Sequence, residues 1–339
     1  MYRKQTQEVV VALDAGTGNT VWEYSYPAPY LKGMDMSTGT GPHGSPLLVH
    51  GRIYTVGVTG KLHCLDAKTG RKIWEHGLLE EFGGTVMVRG YSSSPIAYRH
   101  TVIVTVGGTG HAIMAFDLGN GRVVWQKQDF KNSHSSPILI RLEGEDQLVA
   151  LMDRIVVGVN PKNGELLWSH PHDLDGQRTA STPVWDGDHL LFVSSAYSGG
   201  SRVIRLEKRG DKTTATEVWS HKKMRVHHSN VIRVADYAYG SNGDFGPTPF
   251  TAVNVKTGEI SWRDRSFGKA NTLLLGNKAM VLDEDGQLAV ATLAPQKLDV
   301  HSKCKVLNSR AWTPPSLQDP GFTSGTRRRS RRSICDNRN

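Results

Sequence analysis

The chain has 339 residues, enough for one large core or two ordinary domains. Its 38% hydrophobic residues, 36 glycines and 22% charged residues describe a folded globular protein rather than a disordered one. No run of about 18 apolar residues exists, which excludes a membrane-spanning helix, and the first thirty residues lack the basic start and apolar stretch of a secretory signal. The net charge of +9 points toward an acidic partner until it is located: residues 325–339 hold six arginines and one aspartate, so +5 sits there and +4 is spread over the rest, and no nucleic-acid partner is expected.

In chain order, one phrase recurs six times: VVALDAGTGNTVW to Trp22, LHCLDAKTGRKIW to Trp74, IMAFDLGNGRVVW to Trp125, VVGVNPKNGELLW to Trp168, VIRLEKRGDKTTATEVW to Trp219 and FTAVNVKTGEISW to Trp262. The Trp-to-Trp steps of 52, 51, 43, 51 and 43 residues match one four-stranded propeller blade. Each phrase is an alternating strand, a turn and a second strand. Asp14, Asp66, Asp117, Asn160 and Asn254 can hold the amides of their own turns, and Gly18, Gly70, Gly121, Gly164 and Gly258 suit its positive-φ position. A Trp at a fixed place in every repeat is expected to pack between neighbouring blades.

A second phrase opens each unit: HGSP (43–46), SSSP (92–95), HSSP (134–137), STP (181–183), HHSN (227–230), KANT (269–272) and AWTPP (311–315). Two short apolar strands follow, giving four strands per unit and almost no helical periodicity. The position before the Pro reads Ser45, Ser94, Ser136, Thr182, Ser229, Asn271 and Thr313. Two places earlier stand His43, Ser92, His134, Ala180, His227, Lys269 and Ala311, with His228 and Trp312 one place nearer. On the innermost strands of a propeller these would ring a common mouth. The bland reading is hydroxyl-capped strand ends lining a wet channel. The functional reading is a site for a small polar ligand or a protein partner, carried by His43, His134, His227, His228, Lys269 and Trp312. A metal held by His43, His134 and His227 is not expected, because alternate blades hold them apart and no carboxylate stands in the series.

The loops 24–42 and 75–91 add Tyr24, Tyr26, Tyr30, Met34, Met36, Phe82, Met87, Arg89 and Tyr91, and Arg178 lies near the mouth; residues 236–250 form a third excursion. Loops of that length on a rigid scaffold often bind, although packing onto their own blade is as good a reading. Asp283-Glu284-Asp285-Gly286 lacks the alternating ligands of a calcium loop and reads as a turn.

The D-x-x-T-G-x-x-x-W phrase, with S-x-P opening the next strand set, resembles the pyrroloquinoline-quinone-like (PQQ-like) β-propeller repeat family over residues 8–315. The resemblance implies an all-β propeller of four-stranded antiparallel blades. Six are complete, and a partial blade stands at each end: two outer strands at 8–24 and one innermost strand at 311–318. One propeller domain is expected over 1–318, cut from a seven- or eight-bladed parent. Residues 319–339 read as a basic tail, disordered or frameshifted.

The family includes non-catalytic scaffolds, such as the propeller lipoprotein of outer-membrane protein assembly, and quinoprotein dehydrogenases that oxidise alcohols or sugars with PQQ and calcium. The latter usually carry a vicinal disulfide over the quinone. Cys64, Cys304 and Cys335 cannot form an adjacent pair, and no calcium set can be placed. The resemblance therefore implies a monomeric, extracytoplasmic scaffold without a cofactor, with the dehydrogenase as the alternative.

Overall fold

A computed structural model describes the chain except for residues 38, 174–178, 245, 247, 319–320, 326–329 and 335–339, with side chains up to residue 317. Each repeat folds as an antiparallel meander whose strands pair in chain order. The first sheet is Tyr2–Lys4, Gln7–Leu13 and Thr20–Pro27; the second Leu47–Val49, Arg52–Val56, Lys61–Asp66 and Lys72–Gly77; the third Ile96–Tyr98, Thr101–Thr105, Ile113–Asp117 and Val123–Lys127; the fourth Ile138–Leu142, Glu145–Met152, Ile155–Val159 and Leu166–Pro171. The fifth is Leu190–Ser195, Gly200–Arg209 and Lys212–His221; the sixth Ile232–Val234, Tyr237–Ser241, Phe250–Asn254 and Ile260–Asp264; the seventh Ala270–Leu275, Lys278–Asp283, Gln287–Leu293 and Leu298–Lys305; the eighth Ser316–Gln318, Gly321–Gly325 and Ser330–Ile334. Among the described residues no helix is long and apolar enough to cross a membrane.

Three details depart from the sequence reading. The unit expected complete over 181–221 has three strands. Its innermost segment is reduced to a single bridge, Val184 with Phe192. The first sheet has three strands rather than two, through Tyr2–Lys4. Within 319–339, read as a disordered or frameshifted tail, Gly321–Gly325 and Ser330–Ile334 are strands that pair with each other and, through the first of them, with Ser316–Gln318. The chain divides into two compact units: one holds the first four sheets and the Lys208–Thr213 turn, the other the rest of the fifth sheet and the last three.

The turn chemistry is built as the residues imply. In the second sheet Asp66 Oδ1 accepts the Lys68 and Thr69 amides at 3.1 and 2.8 Å and the Thr69 hydroxyl at 2.7 Å, while Gly70 N donates to Asp66 O at 2.9 Å. The Thr69 bonds hold the Asp66 carboxyl below the usual carboxylate range. The closing strand then delivers its Trp to the next sheet. Trp74 Nε1 donates to Leu118 O at 3.2 Å, and Tyr54 and Arg52 donate to the same carbonyl at 2.8 and 2.6 Å. The same bond joins Trp22 to Ala67, Trp125 to Pro161, Trp219 to Val255 and Trp262 to Ala294, at 2.7–3.2 Å. The indole face lies beneath the turn glycine of that next sheet: a Cβ on Gly121, whose φ is +75°, would stand 2.7 Å from Trp74 Cδ2. Trp168 differs. The repeat after it has the longer 206–219 phrase, and its indole donates instead to Gln147 Oε1 at 2.8 Å, while Gln147 Nε2 donates to Thr213 Oγ1 at 3.0 Å.

The core lies between successive sheets. Tyr54, Leu62, Trp74, Met114 and Phe116 fill the space between the second and third, and Phe192, Val203, Met224 and Val253 that between the fifth and sixth. Between the first and second sheets lies a buried polar cluster: Glu8 accepts from Tyr26 Oη at 2.7 Å and from Val58 N at 3.0 Å, and Arg3 stands 3.8 Å away. His63 packs 4.0 Å from the Tyr26 ring and 3.2 Å from Glu75, and burial, outweighing Glu75, holds its imidazole down at about 4.

Two outcomes follow from this geometry. Trp74→Ala removes both the buried ring and a donor to Leu118 O, and urea unfolding should show a loss of about 3–5 kcal/mol; Gly121→Ala, across the same contact, should lose more than about 1 kcal/mol. His63 binds its proton more weakly folded than unfolded. The unfolded chain is therefore the more protonated between about pH 6.5 and 4, and stability should fall through that window as pH drops, by on the order of 2 kcal/mol. In His63→Phe, unfolding curves at stepped pH should lose that part of the slope.

Candidate functional site

The opening phrases of the repeats stand at the heads of the innermost strands, and several of their polar groups are engaged with a neighbouring sheet. In the first unit Ser45 N donates to Ser94 Oγ at 2.9 Å, and Ser94 N donates to Ser136 Oγ at 3.0 Å, so each serine ties the second, third and fourth sheets in turn. Ser92 Oγ meets His134 Nδ1 at 3.1 Å, and His134 N donates to Thr179 O at 2.9 Å. His43 is exposed on the loop before Ser45.

The two long loops of this unit are laced together. Asp35 N donates to Val88 O at 2.7 Å, and the Arg89 guanidinium pairs with Asp35 at 3.0 Å. Tyr26, Met87 and Tyr91 are buried, and Phe82 lies 5.7 Å from Phe116, so much of the aromatic content of the loops packs onto their own sheets. Tyr30, Val86 and Val88 remain 40–47% exposed.

In the second unit Asn271 Oδ1 accepts from Asn230 N at 3.0 Å, and its Nδ2 donates to Trp312 O at 2.8 Å. Asn230 and the backbone of Thr272 exchange a reciprocal pair at 2.7 and 2.8 Å. His227 and His228 meet Nδ1 to Nδ1 at 3.2 Å. The His228 ring lies 4.5 Å from Trp312, and Tyr197 closes edge-on against His227 at 5.3 Å. Trp312 Nε1 donates to Glu284 Oε2 at 2.9 Å, with Arg310 3.7 Å from the same oxygen. Lys269 is buried, with Nζ donating to Asp244 O at 2.7 Å; burial pushes its ammonium below the usual lysine range, against the pull of Glu284 and Asp244. Thr182 is half-buried before the fifth sheet and Thr313 is exposed, while Arg178 and Cys335 lie outside the described residues. The Asp283–Gly286 segment is a turn as read, with Asp283 Oδ1 accepting the Asp285 and Gln287 amides at 3.1 and 2.9 Å.

The structure thus brings His227, His228 and Trp312 into one cluster of edge-on and tilted rings and sets Lys269 into the interior. Among the described residues no group of three His, Cys, Asp or Glu is placed to hold a metal ion, and Cys64 is buried while Cys304 is exposed. The carboxylates nearest the cluster, Asp244 and Glu284, are held by Arg225 and by Trp312. Sequence reasoning passed over a second feature of this unit, the cations Lys222, Lys223 and Arg225 beside a cavity. The signal for it was the alternation of cations with apolar residues in Lys223-Met224-Arg225-Val226.

A family model described as "Outer membrane protein assembly factor BamB" matches residues 6–264. A quinohemoprotein alcohol dehydrogenase of Comamonas testosteroni is 27% identical over 141 residues, which are 40% of this chain and 19% of that protein. The outer membrane protein assembly factor BamB of Burkholderia pseudomallei is 29% identical over 124 residues, 36% of this chain and 29% of that protein. The chain therefore spans less than a third of the length of these curated relatives. Among solved structures, BamB from Moraxella catarrhalis superposes with a TM-score of 0.63 at 18% identity, covering 91% of this chain and 84% of that one. The quinohemoprotein alcohol dehydrogenase from Comamonas testosteroni gives 0.63 at 12% identity, covering 94% and 68%. At such identities the superpositions speak to fold alone, and the fold is the β-propeller of four-stranded antiparallel blades. With most of its length under one family model, the chain belongs to the family described as outer membrane protein assembly factor BamB.

Proposed function

We propose that this chain is a non-catalytic propeller scaffold that works outside the cytoplasm without a cofactor and binds a protein partner in outer membrane protein assembly. The observation that carries the reading is the engagement of the inner-strand polar groups. Ser94, Ser136 and Asn271 hold neighbouring sheets together, so these polar groups of the inner strands serve the scaffold itself. The laced loops of the first unit favour a protein partner, since they expose Tyr30, Val86 and Val88 on a backbone pinned by Asp35 and Arg89. The alternative, a PQQ- and calcium-dependent alcohol dehydrogenase, is favoured by the dehydrogenase relatives.

Titrating the folded chain with PQQ and excess calcium, while following tryptophan fluorescence, separates the two readings. The scaffold reading expects no saturable quenching; quenching that saturates at micromolar PQQ and is lost with chelator would replace it with the dehydrogenase. The partner surface has its own test in a bacterium deleted for its own assembly factor. An exported form of the chain should restore outer-membrane barrel proteins, and Val86→Asp with Val88→Asp should abolish the rescue while the melting temperature stays within about 2 °C. Rescue by the double variant equal to the parent would remove these loops from the proposal.

A further inference from the structure

The segment that follows the Lys212–His221 strand is apolar on one side and cationic on the other. Met224 and Val226 are fully buried against the fifth and sixth sheets, which turns the neighbouring Lys223 and Arg225 the other way. Its backbone is pinned at every step: Arg225 N donates to Asn242 Oδ1 at 2.9 Å, Val226 N to Ser194 Oγ at 2.9 Å, Gly243 N to Arg225 O at 2.8 Å, and Asn242 Nδ2 to Lys223 O at 2.9 Å. The result is a cavity of about 440 Å³ lined by Lys222, Lys223, Arg225, Asn242, Asp244 and Pro249.

The charge of this cavity is unbalanced. Asp244 is its one acid among the described residues, and it is fully engaged. One carboxylate oxygen lies 3.2 Å from Arg225 Nη1, the other accepts Tyr197 N at 2.8 Å, and its carbonyl takes Lys269 Nζ. Arg263, whose Nη2 donates to Lys223 O at 3.2 Å, adds a further cation at the same backbone. The Lys222 and Lys223 ammoniums have no acid partner among the described residues. Exposed lysines on a convex face are ordinarily solvated and without consequence. Here they stand over a concave, preorganised wall, where like charges reinforce one another and charge-assisted hydrogen bonds are strongest.

We propose that this pocket binds an anion that carries carboxylate or phosphate oxygens and at least two negative charges. Asp244 and Tyr197 hold Arg225 in place, and the two lysines supply the mobile ammoniums that close on the ligand. A free small anion and the side chains of an acidic peptide share this chemistry. The inference is independent of the scaffold reading, because it needs no partner protein to be tested.

Calorimetric titration of the full chain with inorganic pyrophosphate, and separately with a penta-glutamate peptide, decides it. One-site saturation by at least one probe is expected, weakening as salt is raised. In Lys222→Ala with Lys223→Ala, binding should be at least about tenfold weaker at an unchanged melting temperature, since both side chains are exposed. Saturation by pyrophosphate alone assigns the pocket to a free anion, and saturation by the peptide alone to an acidic segment. The proposal is overturned if neither probe saturates by about 10 mM, or if the double variant binds as tightly as the parent, which would place the anion elsewhere on this basic chain.

Discussion

An indole N–H donated to the turn carbonyl of the next sheet is the contact on which the rest of this structure depends. It joins the outermost strand of one repeat to the hairpin turn of the next, where a sheet on its own would leave both its edge and its faces open. The three residues of the repeated phrase are parts of one device. The Asp or Asn folds the turn, the Gly leaves room for the ring, and the Trp fills that room and bonds behind it. The ring buries about 150–250 Å² and the hydrogen bond adds about 1 kcal/mol, so the lock is mostly packing with a directional component that sets the register. The carbonyl of Leu118 shows how far the device is elaborated, with indole, phenol and guanidinium donors sharing one acceptor.

Trp168 tests this logic from inside the molecule. The repeat that follows it has lost the short turn, and with it the carbonyl and the glycine that a lock requires. The indole keeps a buried acceptor by turning to Gln147, whose amide in turn reaches Thr213 at the tip of the lengthened hairpin. A donor buried without a partner would cost about 1–3 kcal/mol, so loss of the motif is offset by a new acceptor at the same place. The fifth sheet shows the same economy on its inner side, where one bridge through Val184 does the work of a strand.

The locks also explain what could be read from the chain alone. The repeats were legible because five of the six phrases carry an Asp or Asn, a Gly and a Trp at fixed spacing, the residues that fold the turn, leave room for the ring and fill it. The series Ser45, Ser94, Ser136 and Asn271 was legible as a series, but its main use was not. The side chains of Ser94, Ser136 and Asn271 each accept from the backbone of the preceding unit, a partner more than 40 residues away that no local pattern announces. The loop aromatics were read as open to either role, and the core between the second and third sheets claimed Phe82, Met87 and Tyr91. The basic cavity was missed for the converse reason: Lys222, Lys223 and Arg225 meet Asn242 and Asp244 only once the sixth sheet is folded.

Where function can reside is then a matter of which residues the scaffold leaves unspent. The repeated Trp and Gly, the turn carboxylates and much of the polar series on the inner strands are committed to holding sheets together, so altering them for a ligand would loosen the repeat that presents it. The segments that the locks do not touch are the paired loops around Asp35 and Val88, the ring cluster of His227, His228 and Trp312, and the cationic run from Lys222 to Arg225. Each stands on backbone anchored by other residues, Asp35 N on Val88 O in the first case, Asn271 Nδ2 on Trp312 O in the second and Asn242 on Lys223 and Arg225 in the third. A backbone held in this way is what a binding surface requires, since the ordering cost is met before the ligand arrives.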